Sequence, residues 1–292
     1  MNAIAEPIDI GIHEMPAAVY HADPASEPSL SNSLLKVLLS KTPRHAWLQH
    51  PKLNPRWEPR PDKDAFDLGT AAHSLLLEGI DKATMCPFTD WKTNAAKDAR
   101  AAARKAGKIP MLPGQYEITM MMVEEAQRFI EAGPLRGLLE RAKAEHSMIW
   151  RDGQFRIKCR GRLDLLDLEP PGATGPAIFD YKTTSAENPG EFIRGMAGNG
   201  YDTQAELYTQ GLAALGHPGA RFIFIVQETA APFLCYLVEP SNIMRDLGLA
   251  KISRGMRLWA DCLKSNRWPG YPPDVFQADP PMWAIKEEES MA

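Results

Sequence analysis

Apolar positions recur at helical spacing through the first half of the chain, then alternate with polar ones through the third quarter. Leu34, Leu35, Val37, Leu38 and Leu39 predict a helix over Asn32–Ser40, with Ser29 or Ser31 placed to cap it, and Pro43 opens a short helix holding Ala46, Trp47 and Leu48. Residues 1–28 and 51–63 carry several prolines without periodicity and predict irregular chain. Phe66–Gly79 predicts a helix with Gly69, His73, Leu76 and Leu77 on one face. An Ala-rich helix over 91–108 follows, then helices over Tyr116–Glu131 and Leu135–Ala144. The period then drops to two. Ser147–Arg151, Phe155–Leu168 and Ile178–Lys182 predict strands, the first two joined in a hairpin at Asp152-Gly153, the last two separated by the turn-rich 170–176. Helices over Pro189–Met196 and Tyr201–Leu215, strands over Arg221–Glu228 and Pro232–Val238, and a helix over Ser241–Lys264 complete the pattern, with an acidic frayed tail over 284–292. No internal repeat is present, so the expectation is one α/β domain over 1–292: a mostly helical part over 1–145, a sheet core over 146–240, and a C-terminal helix and tail over 241–292.

Composition narrows the class. With 292 residues and 44% hydrophobic content the chain can bury a large core. No apolar run approaches the ~20 residues of a membrane span. The first residues lack the basic and apolar regions of a secretory signal, so a cytoplasmic protein is expected. Cys86, Cys159, Cys235 and Cys262 are too widely spaced for a zinc ribbon or a four-cysteine iron–sulfur cluster.

The chemistry concentrates on two alternating runs. On a strand over Ile178–Lys182, Asp180 and Lys182 share one face, and Phe179 and Tyr181 take the other. Arg156, Lys158, Arg160, Arg162 and Asp164 fall on one face of the preceding strand if it is continuous, opposite Ile157, Cys159 and Leu163. The plain reading is that these charges pair among themselves, because unpaired buried charge is costly. The sharper reading brings Asp164 close to Asp180, so that two carboxylates and a lysine form a hard-cation site beside a basic, phosphate-binding surface. Lys97, Arg100, Arg104 and Lys108 recur at helical spacing and read either as a solvated face or as a wall that tracks phosphates. The net charge of -4 counts against a protein that grips DNA, so any basic surface must be local.

Asp164, fifteen residues, then Asp180-Tyr181-Lys182 resembles the core of the PD-(D/E)XK nucleases, with Leu163 where that pattern has proline. Gly69 to His73 resembles the G-x-x-x-H helix of the RecB-like group, and Gln204 to Tyr208 its Q-x-x-x-Y helix. The likeness runs from about Gly11 to Trp283 and is greatest to the RecE-type (exonuclease VIII) domain. It implies a restriction-endonuclease-like α/β fold with a central mixed sheet flanked by helices. It also implies that Asp164, Asp180, His73 and the Tyr181 carbonyl bind Mg²⁺, for which Mn²⁺ can substitute. Lys182 then orients or deprotonates the attacking water, and Gln204 and Tyr208 hold the DNA. Arg160 and Arg162 are further candidates for phosphate contact, which the family does not fix. The implied activity is 5′→3′ degradation of one strand at double-stranded DNA ends, leaving a 3′ single strand for an annealing recombinase, by a ring-shaped homo-oligomer. A RecB-like endonuclease, a single-strand-specific repair nuclease and a catalytically silent DNA-binding module stay open.

Overall fold

Three strand segments converge on one long strand, and that convergence builds the fold. The computed structural model describes residues 7–59, 68–186 and 188–291. The long strand is β6 (Lys158–Asp167), which pairs antiparallel with β5 (Lys143–Arg151) along its length. Its other edge is shared. A short β2 (Ser29–Ser31) pairs parallel with Lys158–Arg160, and β7 (Ala177–Thr184) pairs antiparallel with Leu165–Asp167. Between those two partners, residues 161–164 have no ladder partner on that edge. The sheet continues through β8 (Arg221–Glu228), parallel to β7, to β9 (Cys235–Val238), and β1 (Gly11–Glu14) closes the opposite edge against β5. The parallel β7–β8 pair needs a crossover, supplied by α8 (Pro189–Asn199) and α9 (Tyr201–Ala214).

Each face of the mixed sheet carries a helical layer. On one face α2 (Asn32–Ser40), α3 (Pro43–Gln49), α8, α9 and α10 (Asn242–Ser265) enclose a core with Met148, Trp150, Leu163, Ile178 and Phe224. On the other, α4 (Leu68–Glu78) and α6 (Pro113–Ala132) cover Leu165, Phe179, Tyr181 and Ile225. Leu163 and Leu165 therefore join opposite cores, although a regular strand puts them on one side, so the alternation breaks at Asp164. The remaining elements are α1 (Ala17–His21), α5 (Asn94–Lys105), the one-turn α7 (Leu138–Arg141), α11 (Met282–Met291) and a small parallel pair, β3 (Ala83–Met85) with β4 (Ile109–Met111).

The α/β class with its flanked mixed sheet matches the expectation, and Ser31 caps α2 by accepting from the Leu34 amide. Four expectations need correction. The segment expected to be irregular holds β1 and α1, β1 because the sheet has an open edge for it to fill. The helix expected over Leu135–Ala144 is one turn, since β5 pairing takes over at Lys143. Arg156 sits in a left-handed turn at φ 58° before the strand begins. The tail expected to fray forms α11, which buries no side chain. The expected helix start at Phe66 lies outside the described residues. No helix among the described residues is long and apolar enough to cross a membrane.

Candidate active site

The break in the ladder is where the acidic side chains gather. Extending the β6–β7 register from Leu165 opposite Phe179 puts Asp164 opposite Asp180. The strands separate there, and the Asp164 carboxylate takes the place of a ladder bond by accepting from the Tyr181 amide at 2.9 Å. Asp180 is 2% exposed. One of its oxygens accepts from the Gln204 side chain on α9 at 2.5 Å, and the other meets the Lys182 ammonium. Lys182 also lies over the Tyr201 ring, 5.6 Å from its centroid. From the opposite face α4 delivers His73, whose Nε2 is 3.0 Å from an Asp164 oxygen.

The electrostatics follow from crowding two carboxylates in a dry place. Burial, then the charge of Asp164, raises the Asp180 carboxyl to about 6. Asp164 goes the other way: burial alone would raise it, but the His73 ring and the Lys182 ammonium outweigh that and hold it low. His73 is raised, because its bond to Asp164 and the nearby acids overcome the opposing effect of burial. Burial opposes charge on Lys182 as well, yet Asp180 and Asp164 together raise its pKa, so it stays an ammonium at neutral pH.

Sequence reasoning missed one member. Glu145, on β5, brings a carboxylate oxygen into a group with His73 and Asp164 whose donor atoms all lie within 4.8 Å of one another. Its own carboxyl is raised by burial and by the Asp164 charge. The expected helix ended at Ala144 and the expected strand began at Ser147, leaving Glu145 between them. A two-residue turn at Asp152-Gly153 would have set Glu145 opposite Arg160; the observed pairing of Arg151 with Lys158, across a longer connection, brings it opposite Asp164.

The remaining expectations divide. His73, Asp164, Asp180, Lys182 and Gln204 come together, with Tyr181 beside them. The Tyr181 hydroxyl, however, turns away to Gln227. Tyr208 is buried in the α9 interface with its ring against Gly161, so its side chain faces the interior and not a groove. Arg160 does not fit the role of phosphate contact. It is buried and donates to the Ser29 carbonyl at 2.5 Å and the Ser29 hydroxyl at 2.7 Å, and it lies 3.4 Å from buried Asp23. Arg162 is half-buried and tied to Glu145 at 2.5 Å and to the Met15 carbonyl at 2.9 Å. The basic residues of 91–108 are partly engaged too: Arg100 on α5 lies over Trp91, and Lys108, beyond the end of α5, reaches Asp81. Of the basic residues on α10, Arg245 pairs with Glu206 and Lys251 with Asp202.

The donor set suits a divalent cation. One imidazole and several carboxylates are ligands for Mg²⁺ or Mn²⁺. Neighbouring ligands on an octahedral ion with bonds of ~2.1 Å stand about 3 Å apart, which matches the 3.0 Å between His73 and Asp164.

Among curated proteins no sequence matches this chain. The crystal structure of a "putative exonuclease" from Eubacterium rectale superposes with a TM-score of 0.54 at 16% identity, covering 90% of this chain and 97% of that one. That likeness bears on fold alone. A second solved structure, SSO0001, aligns at 12% identity over 76% of this chain and 84% of its own, with a TM-score of 0.28 that is too low to build on. The sequence profile of the PD-(D/E)XK nuclease superfamily matches residues 29–267. That span takes in β2 through α10 and every residue gathered at the open ladder, and the chain belongs to the PD-(D/E)XK nuclease superfamily.

Proposed function

We propose that this protein is an Mg²⁺-dependent exodeoxyribonuclease of the RecE type. It enters linear double-stranded DNA at an end, degrades one strand 5′→3′, and leaves a 3′ single strand for an annealing recombinase. The observation that carries the nuclease reading is the convergence of Asp164, Asp180 and Lys182 at the gap beside β6, with His73 and Gln204 completing the set. His73, Asp164 and Asp180 would hold the ion, with the Tyr181 carbonyl as the ligand implied by the family. Mn²⁺ would substitute for Mg²⁺ because one ligand is nitrogen. When bound, a divalent ion supplies positive charge to the scissile phosphate and makes the attacking water more acidic.

The protein's own groups do the rest. Lys182, held as an ammonium by two aspartates, is a donor in this state and not a base. It steadies charge on the phosphate and orients the water. Gln204 restrains Asp180 through one oxygen. End-directed resection is supported by the order His73, Asp164, Asp180-x-Lys182, Gln204-x-x-x-Tyr208, which resembles that of RecE-type domains, and by the name of the Eubacterium rectale neighbour. The same resemblance supports a ring of identical subunits.

The test is digestion of linear duplex carrying a labelled 5′-phosphate or 5′-hydroxyl, with and without Mg²⁺, beside covalently closed circular duplex. Metal-dependent release of label from the 5′ end, with the circle intact, is the expected result. Nicking of the circle would make the protein an endonuclease. No metal-dependent loss of either DNA would make it a binding module.

A further inference from the structure

We infer that Glu145 is a third acidic ligand of the divalent ion, positioned by Arg162 and supplied by a strand outside the Asp164, Asp180-x-Lys182 pattern. The inference rests on the nuclease reading above and adds a residue to its site. Ala144 pairs with Leu165 and His146 with Leu163, so Glu145 stands opposite Asp164, as Asp164 stands opposite Asp180. Three acids thus form one row across β5, β6 and β7, where both ladders are interrupted. Glu145 adopts a left-handed backbone at φ 54°, a conformation that side-chain-bearing residues avoid, which takes it out of the regular pleat.

The side chain is held at one end and open at the other. Arg162 donates its Nε to one Glu145 oxygen at 2.5 Å, and its Nη1 is anchored by the Met15 carbonyl at 2.9 Å and the Ser147 hydroxyl at 3.3 Å. The other oxygen faces His73, 3.8 Å from Nδ1. That is too long for a hydrogen bond that would orient the ring. An ion pair with Arg162 accounts for the first oxygen and leaves the second without a role, although it lies within 4.8 Å of the His73 and Asp164 donors. Asp180, by comparison, already has Gln204 and Lys182 on its two oxygens. The free Glu145 oxygen therefore adds one accessible carboxylate to the set that His73, Asp164 and Asp180 would form around the ion.

The experiment is Mn²⁺ binding to the DNA-free full chain, read from the electron paramagnetic resonance of free Mn²⁺, for wild type, Glu145→Gln and Asp164→Asn, with near-UV circular dichroism to check folding. Glu145→Gln keeps the size and an acceptor for Arg162 and removes only the charge. It is expected to raise the Mn²⁺ Kd at least tenfold. Wild-type affinity in Glu145→Gln, with binding lost in Asp164→Asn, overturns the role of Glu145 and leaves the nuclease reading standing. Wild-type protein that neither binds Mn²⁺ nor cleaves linear duplex removes both. If Glu145→Gln does not fold, Glu145→Asp draws the oxygen back by one methylene and is expected to weaken binding at least threefold; an unchanged Kd there overturns the inference equally.

Discussion

Gly161→Ala tests whether α9 is seated against β6 by one aromatic ring. A Cβ at residue 161 would stand 2.8 Å from Tyr208 Cε1, 3.0 Å from Cδ1 and 3.3 Å from Cζ. Carbon pairs rest comfortably at about 3.5–4.0 Å, so the methyl overlaps the ring face by roughly half an ångström or more. The ring has little room to retreat, because Tyr208 is buried and packs against Phe222 with centroids 6.2 Å apart. Overpacking of this kind costs about 1–3 kcal/mol, whereas alanine for glycine within a strand ordinarily gains about 0.5–1 kcal/mol. Urea denaturation of Gly161→Ala, Tyr208→Ala and the double variant separates the two effects. Tyr208→Ala should lose about 3–5 kcal/mol. In that background the Gly161→Ala penalty should vanish or reverse, giving a coupling of about 1–3 kcal/mol. Because α9 also carries Gln204, the single variant should lose cleavage as well. An equal penalty in both backgrounds, or Gly161→Ala within about 0.5 kcal/mol of wild type, would refute the reasoning.

Three further outcomes follow from the charged groups. Asp180 has its carboxyl raised to about 6, so the stability it contributes is fully present below its unfolded value of about 4 and is lost as pH rises through 6. Metal-free wild type should therefore lose on the order of 1–3 kcal/mol relative to Asp180→Asn between pH 4 and pH 8, and parallel stability curves for the two would contradict the cause given. Lys182→Met should reduce cleavage on the order of 10²–10⁴-fold while leaving Mn²⁺ affinity intact by calorimetry; near-normal turnover would remove Lys182 from the mechanism. Arg160→Met should destabilise the fold by about 3–5 kcal/mol by stranding buried Asp23, and a denaturant midpoint close to wild type would show that His50 and Ser29 suffice as its partners.

Much of this could be read from the chain because local signals decide it. Ser31 and Ser241 cap their helices, and alternation in Ile178–Lys182 set Asp180 and Lys182 apart from the core side chains Phe179 and Tyr181. What was not legible depends on partners distant in sequence. Alternation placed Arg160 on a face but could not say that Ser29 and Asp23 from the first thirty residues would cover it. Tyr208 fitted a motif, and only the packed helix shows its ring on Gly161. Strands as short as β1 and β2 carry too few residues for a period to emerge, and they form because β5 and β6 offer them edges.

The divided edge of β6 also determines where the chain can change length. Clasped by β2 near its start and by β7 near its end, the strand has its frame locked at two separate points. A residue inserted between them would turn Asp164 toward the opposite side and dismantle the carboxylate row. The largely exposed connector 168–176 lies outside both clasps, so it can lengthen or acquire new segments without disturbing the chemistry.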